Sequence, residues 1–375
     1  MSEALYVGLM SGTSVDAIDA ALVSIDRGAT TLLATYLHPI PDPIRQDIKA
    51  LSCAGPDEIE RLGVLDRKLG ALFAAAALEL LGRADTPPGR VTAIGSHGQT
   101  IRHRPPCSAQ SARESFSLQI GDPNTLSEHS GITTVADFRR RDIAAGGEGA
   151  PLASAFHAAA FARPGIRRAI VNIGGFANVS LLDGSQLRAG FDTGPGNSLL
   201  DSWIHRHLGE PYDRDGRWSA GGAVQPALLE GLLQHRFFRR TGPRSTGREA
   251  FHMDWLDGCI GEQTAVPEPQ DVQATLAELT ALSIARGIRS GPVAVAEVYV
   301  CGGGAHNRDL MERLARHLTG AQLESTASLG MAPDWVEAAT FAWLAHQTLQ
   351  GLAGNAPVVT GARGTRVLGG IYPGG

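Results

Sequence analysis

The sequence predicts an α/β protein made of two similarly laid-out halves with a ligand cleft between them. Three observations carry this. The 375 residues exceed what a single hydrophobic core usually serves and suit two domains. An apolar strand running into a small-residue turn and a returning strand occurs once in each half, at Leu5–Met10 with Ser11-Gly-Thr-Ser14 and at Ala169–Ile173 with Gly174-Gly-Phe-Ala-Asn178. Each half then passes through helical pattern to a further apolar strand, as a duplicated α/β unit would. Sequence identity between the halves is negligible, so the likeness is one of layout, and one large mixed domain is the alternative. The division falls within 140–165, giving domains 1–145, with 357–375 as a candidate completion, and 146–356.

The elements follow in order. Leu5–Met10 is a strand, and Val15–Ile25 returns across the turn with Ala20-Ala-Leu-Val as its buried segment. Pro39 to Pro43 end that hairpin region. Residues 44–82 place Ile44, Ile48, Leu51, Leu65, Leu69 and Leu72 at helical spacing, and Gly82 and Pro87-Pro88 close the stretch. Val91–Gly95 reads as a strand opening into a polar loop, Ser96-His-Gly-Gln-Thr100. Ala144–Pro151 reads as loop and Ala153–Ala162 as a small-residue helix. In the second half, Val179–Leu182 returns from the glycine turn and Asp183-Gly184 marks another turn. Phe191-Asp-Thr-Gly-Pro-Gly-Asn-Ser-Leu-Leu-Asp201 reads as strand end, turn and helix start. Residues 271–290 are helical, Ala294–Cys301 is a strand, and Leu310–Leu318 is helical again.

Composition excludes several classes. With 33 basic and 38 acidic residues the net charge is −5, which leaves no electrostatic footprint for nucleic acid or an anionic membrane. The N-terminus has no basic region before its short apolar stretch, so no signal peptide is expected. No apolar run reaches the roughly 18–20 residues of a membrane span; Ala71–Leu81 comes nearest and is broken by Glu79. Cys53, Cys107, Cys259 and Cys301 are scattered and form no CxxC pair, a pattern of reduced cysteines in the cytoplasm.

The GxxxxGK[ST], HExxH and GxSxG signatures are absent, and GxGxxG opens no helix after a strand. What the chain offers instead is small-residue turns carrying hydroxyls, amides and carboxylates. Gly12, Ser14 and their neighbours precede Asp16 and Asp19, and the N–H groups of such a turn can face phosphate oxygens while Asp16 holds a magnesium ion through water. An ordinary hairpin turn with a solvated Asp explains the same residues. The Asn172–Asn178 turn, with Gly174 and Gly175, has the same two readings. Two such hairpins at corresponding places suit a triphosphate gripped from both sides. Asp192 stands where a strand end delivers a side chain, as a general base requires, or it orders the turn and caps the helix. Gly302-Gly-Gly-Ala-His-Asn307 offers a flat backbone surface for a purine and ribose, or a tight strand–helix link. Arg139-Arg-Arg141 suits an anionic substrate or a solvated loop.

Leu9-Met-Ser-Gly-Thr-Ser-Val-Asp-Ala-Ile-Asp19, Gly95-Ser-His-Gly-Gln-Thr100, Gln119-Ile-Gly-Asp-Pro-Asn124 and Ala136–Gly147 occur in order along the chain. They are followed by Asn172–Asn178, Phe191–Asn197, Ser245-Thr-Gly-Arg-Glu249, Cys301–Asn307 and Glu337-Ala-Ala-Thr-Phe-Ala-Trp343. Together they resemble the bacterial anhydro-N-acetylmuramic acid kinase family nearly end to end. The resemblance implies two ribonuclease H-like domains, the duplicated actin-like ATPase fold of the sugar kinases, around a central ATP and substrate cleft. It implies that ATP, water and 1,6-anhydro-N-acetylmuramic acid give N-acetylmuramic acid 6-phosphate and ADP, with Mg²⁺ on the phosphates. By position in the motifs, Asp192 is the base and Glu337 a second carboxylate. Gly12, Thr13, Ser14, Val15, Asp16, Ala17, Ile18 and Asp19 face the ATP phosphates, with Asn172, Gly174, Gly175 and Asn178 opposite. Gly302, Gly303, Gly304 and Asn307 approach the nucleoside, and His97, Asp122, Asn124, Arg139 and Asn197 are sugar contacts. The family also suggests a homodimer. Two departures stand out: Ala17 replaces a frequent Gly, which matters if that position needs positive φ, and Glu148 replaces an expected Gln. The rival readings are a kinase of the same superfold acting on a free sugar hydroxyl, and a non-catalytic ATP-dependent clamp.

Overall fold

In the computed structural model the described residues are 4–12, 14–106, 112–240, 242, 244–247 and 250–375. They divide into two compact units, Met1–Ala160 with Trp335–Gly375, and Phe161–Asp334.

The first unit opens with β1 (Ala4–Ser11), β2 (Ala17–Asp26) and β3 (Ala29–Pro39), a meander of antiparallel neighbours. β4 (Val91–Arg104) lies parallel to β1 on the other side, followed by β5 (Phe116–Ile120) and β6 (Thr134–Ala136). The second unit repeats the plan: β7 (Arg167–Ile173), β8 (Phe176–Asp183) and β9 (Gln186–Pro195) form an antiparallel meander. β10 (Glu297–Cys301) then lies parallel to β7, and β11 (Gln322–Ser325) parallel to β10. The chain returns to the first sheet as β12 (Gly370–Tyr372), antiparallel to β6. The strand orders β6-β4-β1-β2-β3 and β11-β10-β7-β8-β9 are the same arrangement twice. The duplication inferred from layout is thus present in the hydrogen-bonding of the sheets.

Each sheet is covered by helices whose apolar faces it buries. The helix Glu58–Arg83 sends Leu65, Leu69, Phe73 and Leu80 into a core with Val7, Leu22 and Ile94. In the second unit, the helix Pro269–Arg289 and the helix Arg308–His317 close a core around Val171, Val179 and Val300. A separate apolar cluster, with Trp203, Phe237, Phe251 and Leu276, supports the stretch after β9.

The helix Val336–Leu349 lies on β1 and β4 at a distance only glycine permits. Gly8 and Gly95 are register partners on those strands, and a Cβ on either would fall on the carbonyl of Ala338 or Phe341.

Two expectations change. Ser96–Thr100 is not a loop: β4 runs through it, pairing Gln99 with Ile120, and Ser96, His97 and Gln99 are buried. Ser11 donates to Gln99 at 2.6 Å and Arg139 to His97, while Ser96 Oγ is buried without a hydrogen-bond partner. The boundaries also lie elsewhere than at 145/146 and 356/357, since residues 146–160 and 335–356 belong to the first unit. The physical reason is Asp142, fully buried on the helix Arg140–Ala144, whose carboxylate accepts from Gly149 N–H (2.9 Å), Asn355 Nδ2 (2.7 Å) and Thr360 Oγ1 (2.8 Å). A buried charge held by three donors ties those segments together.

Candidate active site

The second unit gathers most of its own predicted residues at one end of its sheet. β7 ends at Asn172-Ile173 and turns at Gly174-Gly175 into β8. The end of β9 folds over that turn: Gly196 N–H and Ser198 N–H donate to Gly175 O at 3.0 and 3.1 Å, and Asn197 N–H to Gly174 O at 2.8 Å. Asn197 also sends its amide to Ile173 O. β10 arrives beside Asn172 and opens into Gly302–Gly304. Gly302 has φ +78°, and a Cβ there would lie 2.5 Å from Asn172 Oδ1 and 2.8 Å from Ile173 O. The glycine therefore answers both a left-handed backbone and a close approach. Asn172, Gly174, Gly175, Asn197 and Gly302–Gly304 are thus brought together. Asn307 is instead occupied as the cap of the helix Arg308–His317, accepting from Leu310 N–H at 3.0 Å.

Asp192 lies inside β9, opposite Asn178 in the register, because the strand continues to Pro195 and does not end at the aspartate. It is 7% exposed. Its Oδ2 accepts from Thr246 N–H at 2.8 Å and from the Ser245 hydroxyl at 3.2 Å. Its backbone is clasped too: Asp192 N–H donates to Arg244 O at 3.0 Å and Arg244 Nε to Asp192 O at 2.9 Å. The Arg244 guanidinium rests over the Phe191 ring, 4.1 Å from its centroid. Burial lowers the pKa of that guanidinium and the Asp192 charge opposes the shift. Beside the aspartate, Asn178 Oδ1 and Thr246 Oγ1 are buried atoms with no hydrogen-bond partner, as is Ser198 Oγ, whose N–H donates to Gly175 O at the glycine turn. Such a set of unspent polar atoms is what a ligand site leaves when built for a guest.

In the first unit, the turn after β1 carries Gly12, Ser14 and Asp16; Thr13 lies outside the described residues. Ser14 Oγ donates to Asp16 Oδ1 at 2.6 Å and Ala17 N–H to the same oxygen at 3.1 Å, with both Ser14 and Asp16 exposed. Positive φ occurs at Val15 (58°) and not at Ala17, which begins β2. The departure at position 17 therefore costs the turn nothing by that route. A β-branched residue held in the left-handed region is a strained backbone, and strain of this kind concentrates at functional turns. Val15 and Ile18 point into the core, so only their backbone can serve a ligand. Asp19, half-buried on β2, faces Met10 in the register.

His97 and Arg139 form a pair. Arg139 donates to His97 Nε2 through Nε (3.0 Å) and to Gly149 O through Nη1 (2.7 Å), while His97 Nδ1 faces Gly98 O at 2.9 Å. Both ring nitrogens are engaged. Burial first, then the Arg139 charge, hold the His97 pKa well below its ordinary value. His97 is therefore a neutral prop for Arg139 and not a proton shuttle. Asp122 and Asn124 serve the chain: Asp122 caps the helix Pro123–Ser130, accepting from Asn124 N–H, Asn124 Nδ2 and Thr125 N–H. Burial opposes its ionisation, yet the hydrogen bonds from Thr125 and Asn124 hold its pKa below the usual value. Glu337 sits half-buried in the first turn of the helix Val336–Leu349. Glu148, in the loop bound by Asp142, donates its N–H to Thr360 O and has one buried carboxylate oxygen without a partner.

Sequence reasoning gave no role to Ser245 or Thr246. No local pattern links them to a strand residue some fifty positions earlier; only their place in the Ser245–Glu249 motif marks them.

Among known proteins, the family model for anhydro-N-acetylmuramic acid kinase matches residues 4–374. Curated anhydro-N-acetylmuramic acid kinases from Pseudomonas fluorescens (strain Pf0-1) and Pseudomonas putida (strain KT2440) are 50% and 51% identical to the chain. Each match covers 99% of this chain and 99% of the relative. One from Pseudomonas paraeruginosa is 52% identical, over 98% of both. Among solved structures, the activator of 2-hydroxyisocaproyl-CoA dehydratase from Clostridium difficile, with bound ADPNP, aligns at TM-score 0.47 and 13% identity. That alignment covers 93% of this chain and 96% of the activator, a likeness too distant to carry an argument.

Proposed function

The chain belongs to the anhydro-N-acetylmuramic acid kinase family, and from that membership we propose which of its residues perform the reaction. The activity is ATP-dependent: ATP, water and 1,6-anhydro-N-acetylmuramic acid give N-acetylmuramic acid 6-phosphate and ADP, in the recycling of cell-wall peptidoglycan. Water oxygen bonds to C1 as the C1–O6 bond breaks. The O6 electron pair takes the γ-phosphoryl group, ADP departs with the electrons of the broken P–O bond, and the water proton passes to a base. This is an inverting glycoside hydrolysis in which a phosphoryl group stands where the general-acid proton usually goes. One carboxylate base is needed, and no acid opposite.

Asp192 is that base. The observation that carries the assignment is its buried carboxylate, held on one oxygen by two donors from the 245–246 segment. Donors to a carboxylate favour its ionised form and fix its direction. Glu337 is the second carboxylate, beside the water or the sugar, and the helix N-terminus it occupies favours its charge. The backbones of Gly12–Asp19 and of Asn172–Asn178 are the turns for the ATP phosphates, and that of Gly302–Gly304 is the surface for the nucleoside. Arg139, braced by His97, meets the carboxylate of the acidic sugar. The capping roles of Asp122 and Asn307 argue against direct ligand contacts for their side chains.

Magnesium fits this reading. Among the described residues no three His, Cys, Asp or Glu side chains form a metal cage, but Asp16 offers an exposed carboxylate beside the first turn. One carboxylate with waters and phosphate oxygens is the usual magnesium environment. The bound ion would neutralise charge on the phosphates. No helix among the described residues is long and apolar enough to cross a membrane. We place the protein in the cytoplasm on its cysteine usage and propose a homodimer on family grounds.

The test is mass spectrometry of the sugar product formed with Mg-ATP in ¹⁸O-water. A 6-phosphate labelled at C1 is expected; a phosphorylated sugar with an unlabelled or intact ring would move the reading to a free-hydroxyl kinase. In parallel, Asp192→Asn should lower kcat by about 10²–10⁴-fold and keep its nucleotide affinity by calorimetry. Near-wild-type turnover would remove Asp192 as the base.

A further inference from the structure

We infer that Ser245 is a positioning residue for the hydrolytic half of the reaction, setting both the aim and the basicity of Asp192; this rests on the reading of Asp192 as base. The geometry is asymmetric. Both hydrogen bonds from the 245–246 segment go to the same carboxylate oxygen, Oδ2, one from the Thr246 backbone and one from the Ser245 side chain. Only the second can be changed by evolution or by mutation without moving the chain. Ser245, like Asp192, is 7% exposed, so water cannot readily replace the hydroxyl if it is lost.

The segment that delivers Ser245 is itself anchored to the strand carrying the base. Arg244 pairs with the Asp192 backbone in both directions, and its guanidinium lies over Phe191 and, at 5.8 Å, Phe237. The base and its support are therefore one body, joined through residues adjacent to each, and Ser245 cannot drift while Asp192 stays. A hydroxyl donating to one carboxylate oxygen does two things. It stabilises the ionised form over the protonated one, lowering the pKa of the base. It also removes the torsional freedom about the Cβ–Cγ bond, so the oxygen that takes the water proton keeps its direction. A base held within a fraction of an ångström is worth far more than one that swings.

The test is a series of Ser245→Ala, Ser245→Thr and Asp192→Asn, each measured for kcat and both KM values across pH 5.5–9 with thermal stability recorded alongside. Loss of a hydrogen bond to a charged group corresponds to about one pH unit. Ser245→Ala should lower kcat at pH 8 by about 3–10-fold, raise the acidic limb of kcat by up to about one unit, and leave both KM values within about twofold. Ser245→Thr, which keeps the hydroxyl, should recover most of the loss. A Ser245→Ala profile that overlays wild type would overturn the proposal. So would a loss that Thr does not recover, because that pattern marks packing and not the hydroxyl. Asp192→Asn separates the two readings: an active Asp192→Asn enzyme removes the base itself, whereas an inactive one beside an unchanged Ser245→Ala removes only the role of Ser245.

Discussion

Gly8→Ala is expected to cost more than its size suggests. A Cβ built on Gly8 would lie 1.8 Å from Ala338 O, 2.7 Å from Ala338 C and 2.9 Å from Ala342 N. All three are backbone atoms of the helix Val336–Leu349, so no rotamer change relieves the clash. The helix has to retreat from the sheet by more than about 1 Å to restore ordinary packing. Replacing a strand glycine with alanine gains roughly 0.5–1 kcal/mol of backbone entropy. Overpacking against rigid neighbours costs about 1–3 kcal/mol and here sits at the upper end, so the clash wins by about 2 kcal/mol. At about 2–4 °C for each kcal/mol in a body of this size, the melting temperature should fall by about 4–8 °C. Glu337 immediately precedes Ala338 and moves with it. A displacement near 1 Å at a reacting centre costs on the order of 10²-fold in rate, so kcat should drop further than stability alone explains. Calorimetric melting and steady-state turnover read the two effects separately. A Gly8→Ala protein with wild-type melting and wild-type kcat would refute both the close packing and the placement of Glu337.

Gly12→Val makes the opposite prediction. A Cβ at Gly12 would meet nothing nearer than Ser14 Oγ at 4.0 Å, so the protein itself should tolerate the change, with melting within about 2 °C of wild type. ATP affinity by calorimetry should nevertheless weaken by about tenfold or more, since only the ligand is crowded; unchanged affinity would detach this turn from the phosphates. Acid should destabilise the first unit. Burial brings the pKa of His157 to about 3, and burial followed by the Arg139 and Arg104 charges does the same for His103, while His97 shifts in the same direction. These pKa values are depressed on folding, so below about pH 6.5 the unfolded chain binds protons that the folded chain does not. Stability is then lost as pH falls from about 6.5 towards 3, by about 3 kcal/mol per pH unit for His103 and His157 together. Urea unfolding at pH 7 and pH 5.5 measures this, and equal midpoints would contradict the buried neutral state.

Much of this architecture was legible because its signals are local. Small-residue turns between apolar runs mark β1–β2 and β7–β8, and a strand that ends in glycine and proline marks the neighbourhood of Asp192. What escaped reading depends on partners distant in sequence. Ser96, His97 and Gln99 look like loop residues because they are polar, but Ser11 and Arg139 satisfy Gln99 and His97 inside the sheet. β3 buries mainly one side and occupies a sheet edge, so its apolar residues never form the dense run that announces an inner strand. The domain limits were hidden for the same reason, since nothing near Asp142 announces Asn355 and Thr360. In the site, glycines and Asp192 were readable as types in a pattern, whereas nothing in the Ser245–Glu249 motif itself points to a strand residue some fifty positions earlier.

The first unit is interrupted in the chain: its sheet and covering helices are completed by residues that follow the whole of the second unit. During synthesis the ribosome releases β1 to β6 first, with Gly8 and Gly95 uncovered and Asp142 lacking Asn355 and Thr360. The second unit, by contrast, is one unbroken segment of chain, Phe161–Asp334. The nascent first unit must wait, with an apolar sheet face exposed, until Val336–Leu349 and β12 arrive. Vectorial folding therefore runs opposite to gene order here, the later body closing before the earlier one. Until residues 335–375 are released, the first unit lacks the helix and the edge strand that complete it.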